Sequence, residues 1–322
     1  MVLFVSLRAH RRSALLARTA LAGVVLSVGL TSCAEQHTAG RPVGPVTAPS
    51  ASAIDLATHS GTWPRTEQEI EGALSALERR CLRANGFDYP VVRPAPFTDP
   101  ENEAAAVGLT ERRAHGYGFG TQPTAPPSDA FYDRLAAREK RRFTAVLFGP
   151  DDKRRTVGRF RMGTVSVPTR GCTAQSRLTL FGDVATWARI TYTAEDIDER
   201  LARAATADPQ YTAVLRRWSA CMKSRGYSFA SPTEAEAAAK AVHGPAGAPG
   251  KTPAKEIHIA VADGTCAQAS HLPRSELRAR RRLVTTLPPN DRRLLEHLTK
   301  RRSMALGRAR SLGLIRESTS QP

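Results

Sequence analysis

Apolar residues fall into helical stripes along most of this chain. Ile70, Leu74, Leu77 and Cys81 recur at three- and four-residue intervals, the spacing of one helix face. Thr66 and Glu69 fit a capping box ahead of that stripe, and Gly86 suits the left-handed position just past its end. Phe87, Tyr89 and Val91 then alternate as a short extended piece. Residues 94–128 predict a loop. Ser128 opens a further helix with Phe131, Leu135 and Phe143 inward, closed by Gly149 and Pro150. Apolar and polar positions roughly alternate over residues 157–167, the period of a strand or hairpin.

The helical period returns over residues 178–190, which carry Trp187. It starts again at Thr193 and Asp196, with Ile197, Leu201 and Ala204 on one face. Asp208 is a good N-cap and Pro209 suits the first helical position. Tyr211, Leu215, Trp218 and Met222 make the next stripe, flanked by Val214 and Cys221, and Gly226 stops it. Residues 234–242 read as a helix, 244–255 as a Pro/Gly linker, and 257–261 as a strand entering a turn at Asp263, Gly264, Thr265 and Cys266. A basic helix runs to about Leu283. A longer one over residues 288–312 has a seam of Leu294, Leu295, Leu298, Ala305, Ala309 and Leu312. The predicted class is mainly α with short β hairpins or strands.

One ending occurs twice: C-x4-G-aromatic-x-aromatic, at Cys81 with Gly86, Phe87 and Tyr89, and at Cys221 with Gly226, Tyr227 and Phe229. Each copy is followed by an extended segment that turns at a cysteine, Cys172 or Cys266, and leaves as a helix. The recurrence implies two divergent disulfide-stapled modules, residues 63–190 and 191–314, with 315–322 as a flexible tail. Thr169 stands where the second turn has Asp263, so a role for Asp263 does not extend to the first half.

Arg8, Arg11, Arg12 and Arg18 precede an apolar run over residues 20–30 that is too short to span a membrane well. Residues 1–32 therefore read as a secretory signal. Leu30, Thr31, Ser32 and Cys33 resemble the lipobox of bacterial lipoproteins, which implies cleavage before Cys33 and acylation of its thiol. An ordinary signal peptide with an incidental cysteine is the alternative. Residues 33–62 are polar and rich in Pro, Gly, Ser and Thr, the composition of a flexible tether. With Cys33 assigned to lipid, Cys81, Cys172, Cys221 and Cys266 remain, and an even number in an exported chain favours disulfides. A zinc site would need closer Cys and His spacing. Of the three pairings, the duplication favours Cys81–Cys172 and Cys221–Cys266.

The formal net charge is +17. Arg280, Arg281, Arg282, Arg292, Arg293, Arg301 and Arg302 lie on predicted helices and form a candidate binding face. Nucleic acid is not expected for an exported chain. Anionic lipid headgroups, wall polymers or an envelope protein are the candidate partners, and a merely solvated face is the alternative. No H-E-x-x-H, G-x-S-x-G or Walker loop is present. Glu195 and Asp196 are adjacent and point in different directions on a helix, and Asp196 suits a capping role. His258 reads as a packed or rim histidine. His115 to Gly120 alternates glycine with aromatics but has the wrong spacing for a dinucleotide fingerprint, so Tyr117 and Phe119 are expected to tuck onto the core. No catalytic residue, metal set or cofactor is assigned.

Taken together, C-x4-G-aromatic, Gly116-Tyr117-Gly118, the helix to Gly149, Gly171-Cys172, Trp218-x-x-Cys221-Met222 and Asp263-x-x-Cys266 resemble secreted lipoproteins of high-GC Gram-positive bacteria. The resemblance covers most of the mature chain through short, mainly structural motifs. It implies a lipid-anchored, extracytoplasmic protein and carries no activity. The expected function is a non-catalytic binding or accessory role at the outer face of the membrane. An envelope-modifying enzyme and a solute-binding lipoprotein are the alternatives, although the latter calls for an alternating strand–helix pattern that is missing.

Overall fold

The computed structural model describes residues 48–94, 98–120, 127–243 and 252–315. The signal segment and Cys33 lie outside them. α1 (Ala51–Thr58), α2 (Trp63–Ala84), α3 (Glu103–Val107), α4 (Leu109–His115), α5 (Pro127–Arg134) and α6 (Ala137–Phe148) precede an antiparallel hairpin of β1 (Arg154–Phe160) and β2 (Gly163–Pro168). α7 (Gly171–Phe181), α8 (Thr186–Ala205), α9 (Pro209–Ser224), α10 (Pro232–Ala241), α11 (Ala254–Ser270), α12 (Leu272–Leu283) and α13 (Pro289–Ser311) follow. The fold is mainly α with short strands. Both disulfides are formed, Cys81–Cys172 and Cys221–Cys266, each with Cα atoms 5.6 Å apart. No helix among the described residues is long and apolar enough to cross a membrane.

The repeated ending has one geometry in both copies. Gly86 and Gly226 sit at φ +81° and +86°. The Phe87 N–H donates to the Leu82 carbonyl at 3.0 Å, and the Tyr227 N–H donates to the Met222 carbonyl at 3.0 Å. This bond back across the last turn satisfies a carbonyl the helix leaves unpaired, and its left-handed residue is cheapest as glycine. The chain then reverses and lays its aromatics against the helix it has just left. Phe87 and Tyr89 are buried with Phe143, while Tyr227 and Phe229 stack at 5.9 Å.

The chain from Ala48 onward forms one compact unit. α13 packs on α1, α2, α7 and α8, and α4 packs on α11, so elements of the two expected halves interleave. The expected boundary at residue 190 falls inside α8. Ile190, Ala194, Ile197 and Leu201 form one continuous buried stripe along that helix, against α1, α7 and α13. A helix whose apolar face is unbroken across a boundary ties both sides to one core.

Several local expectations are corrected. Part of the expected tether is α1, capped by Ser50, with Ala53, Leu56 and Ala57 buried. Composition missed it because Leu56 is the one large apolar side chain among its buried residues, beside Ala53, Ala57 and the polar Asp55 and Thr58. α2 begins at Trp63, and Thr66 lies inside it with its hydroxyl on the Thr62 carbonyl, so no capping box forms there. Residues 94–128 hold α3 and α4, and Ser128 lies within α5. α7 includes Cys172 and ends at Gly182, where Asp183 accepts from the Ala185 and Thr186 N–H groups and starts α8. Residues 257–261 and the turn at Asp263 are parts of one helix, α11. A short apolar run cannot distinguish a buried strand from a buried helix, and this helix is buried. Gly264 is needed there by packing: a Cβ would lie 2.9 Å from atoms of Arg112 and Leu109. Leu295, Leu298, Ala305 and Ala309 are buried on α13 as expected, but Leu294 and Leu312 are exposed. Ile315 packs on the core at the start of the expected tail, and residues 316–322 lie outside the described residues.

Candidate functional site

The arginines singled out from the sequence are mostly engaged within the fold. Successive helix positions turn by about 100°, so three consecutive residues point in three directions. Arg280 reaches Asp198 on α8 at 2.6 Å, Arg281 reaches Asp55 on α1 at 2.8 Å, and Arg282 reaches Asp208 at the start of α9 at 2.8 Å. Together they fasten α12 to three neighbours. The Arg282 guanidinium also holds the Asp208 carboxyl below its ordinary range. On α13, buried Arg302 pairs with Glu67 at 2.7 Å and Arg301 donates to the Phe181 carbonyl at 2.9 Å. Arg293 bonds Asn290, and Arg292 is half-buried with no partner for its Nε among the described residues. Arg280, Arg281, Arg282, Arg301 and Arg302 thus act first as internal connectors.

The most developed polar constellation lies on one face of α11, where sequence reading placed a linker and a strand. Glu256 and Asp263 are seven residues apart, close to two full turns, and both are buried. Asp263 Oδ1 accepts from the Trp218 indole N–H at 3.0 Å. Its Oδ2 accepts from the Arg112 guanidinium at 2.7 Å and the Tyr117 hydroxyl at 2.8 Å. Arg112 also donates to the Val107 and Ala260 carbonyls. Burial, followed by the Asp263 carboxylate, pushes the Tyr117 hydroxyl well above its ordinary range, so it stays a donor.

Glu256 explains the glycine–aromatic loop. Its Oε1 accepts from the Tyr117 N–H at 2.8 Å and the Phe119 N–H at 3.3 Å, and its Oε2 meets His243 Nε2. A Cβ on Gly116 would lie 2.7 Å from Glu256 Oε1, and Gly116 has φ +63°. The loop is thus a cradle for an internal carboxylate, with Tyr117 and Phe119 packed on the core as expected. All four carboxylate oxygens have protein partners, so the arrangement fixes the loop, α9 and α11 together. The seven-residue spacing of Glu256 and Asp263, repeated by Ile259 and Cys266, was the available sequence signal.

Other candidates stand apart from this cluster. Glu195 is exposed. Asp196 lies inside α8 and accepts from the Arg161 N–H of the hairpin turn, at 3.1 Å to Oδ2. His258 is exposed on α11, neither packed nor in a strand. No group of three or more His, Cys, Asp or Glu suited to a metal occurs among the described residues. A shallow, open hollow of about 600 Å³ lies along the Cys81–Cys172 bridge between α6 and α7, and one of about 320 Å³ adjoins it across Gly149 and Pro150.

Comparison with known protein families, curated proteins and solved structures gives no match for this chain.

One carboxyl supplies a pH test. Burial of Glu71 on α2, with Glu67 one turn away, raises its pKa from 4.5 to about 7. The folded state therefore holds a proton that the unfolded chain releases near pH 4.5. Stability contributed by this group is full below that pH and falls as pH rises through about 7. Glu71→Gln should flatten this fall and be more stable than the parent at pH 8 by about 1 kcal/mol, discounted for partial exposure. Urea unfolding at pH 5 and pH 8 measures both.

Proposed function

We propose that this chain is an exported protein held at the outer face of the membrane by lipid on Cys33, where it binds or assists an envelope component without catalysing a reaction. The cysteine assignment carries the reading. The chain has five cysteines, and four of them are consumed in two disulfides. Cys33 is the cysteine those two bridges do not use, and it stands directly after an apolar run and a small residue. Stable bridges suit an oxidising compartment, and several acyl chains anchor a protein where one binds only marginally. The open hollow beside the Cys81–Cys172 bridge offers a surface on which a partner can dock.

Cys33→Ala and globomycin treatment test the anchor. Cys33→Ala should abolish incorporation of labelled fatty acid and lower the membrane-bound fraction, whereas globomycin should leave the signal segment attached and raise the apparent mass of a protein that stays on the membrane. Unchanged membrane retention and labelling of Cys33→Ala, with unchanged mass under globomycin, would overturn the anchoring assignment.

A further inference from the structure

The adjoining hollows beside the Cys81–Cys172 bridge form one groove, with Ala145, Gly149 and Pro150 common to both parts. Its floor is largely apolar, including the bridge, Val146 and Leu178, and Leu178 is 47% exposed. Its rim is cationic. Lys140, Arg141, Lys153 and Arg170 line it, against the single carboxylate of Asp151. Among the described residues the Lys153 ammonium pairs with its exposed sequence neighbour Asp152, and Lys140 lies over the Tyr132 ring. Arg280, Arg281, Arg282 and Arg302, by contrast, are tied to carboxylates of other helices. Available positive charge beside exposed apolar surface is therefore found at this groove, away from the arginine runs.

An apolar floor with a cationic rim complements a molecule that carries a negative head on an apolar body. We propose that the groove docks anionic phospholipid at the membrane surface, with the cations on headgroup phosphates and Leu178 toward the acyl boundary. The proposal rests on the anchoring reading, because a chain tethered through Cys33 meets phospholipid at high effective concentration. Each cation near an anionic membrane strengthens binding about fivefold.

Sedimentation with vesicles tests this on residues 48–322, the compact unit, which lacks Cys33. Phosphatidylglycerol–phosphatidylcholine vesicles should bind it, and pure phosphatidylcholine vesicles should not. Arg141→Glu with Arg170→Glu should weaken binding about 20-fold or more, by the same charge estimate. Leu178→Ser should weaken it several-fold with charge unchanged. Arg216→Glu with Arg217→Glu, exposed positions on α9 outside the groove, is the control of equal net charge. Circular dichroism of each variant confirms that it is folded. Equal losses from the groove and control pairs would reduce the effect to net charge and overturn the site. So would absence of vesicle binding, or binding of soluble poly(glycerol phosphate) in its place. Because Cys33 is missing from this assay and decides the fractionation experiment, failure of one is distinguishable from failure of the other.

Discussion

Replacing both Cys81 and Cys172 with alanine will lower the unfolding free energy by about 4–5 kcal/mol, read as a shift of the urea midpoint. The bridge joins residues 91 apart, so without it the unfolded chain gains a large set of conformations. Cys221–Cys266 joins residues 45 apart, and its removal should cost about 4 kcal/mol. The dependence on loop length is logarithmic, so a twofold difference in separation changes the expected loss by only about 0.6 kcal/mol. Cys172 is buried among Phe87, Phe143 and Leu147, and alanine there adds a small packing loss. Domains of ordinary stability have about 5–15 kcal/mol in total, so loss of both bridges should leave the chain largely unfolded at 37 °C. Losses below about 1 kcal/mol from each bridge would show that the bridges do not restrict the unfolded ensemble as this account requires.

Asp263→Ala is the second large effect, expected at about 3–5 kcal/mol. The substitution removes one carboxylate and leaves the Arg112 guanidinium, the Tyr117 hydroxyl and the fully buried Trp218 indole N–H without their common acceptor. The desolvation cost of those donors, rather than the value of any single bond, sets the size. Asp263→Asn keeps an oxygen for Trp218 but turns an NH2 group toward Arg112, so its loss should be smaller and still substantial. Near-ultraviolet circular dichroism reports on the Trp218 environment and should change in both variants. A double-mutant cycle isolates the pair: Arg112→Ala should cost much less in the Asp263→Ala background than alone. Additive losses would mean that Arg112 and Asp263 are not coupled.

Both halves end a helix at Gly86 or Gly226 with the same backbone bond, and that much follows from the motif. They diverge at the second cysteine. α7 begins at Gly171, whose φ is +82°, and Cys172 lies in its first turn. α11 instead runs through Asp263 and Cys266 without a break. The similar cysteine contexts suggested two turns, but one is a helix start and the other a helix interior. That difference places Asp263 and Glu256 on one continuous face. The Cys172 helix start, by contrast, opens beside the groove.

Features whose partners lie within a few residues were legible in the chain's local pattern. These are the glycine-terminated helix ends, the hairpin, the Asp208 cap and the apolar stripes of α2 and α9. Backbone geometry and side-chain period act over one or two turns, so the residues that decide them are adjacent in the chain. The cysteine pairing was legible for a related reason, since a repeated motif carries its own register. Tertiary structure alone decided the fate of the charges. Arg280, Arg281 and Arg282 meet acids 82, 226 and 74 residues away, and nothing local selects those partners. Glu256 was equally hidden, because its burial depends on a loop 137 to 139 residues earlier folding over it. A charged run reads the same in sequence whether it faces solvent or fastens helices. Only packing fixes which side chains lose their water and must find a counter-charge.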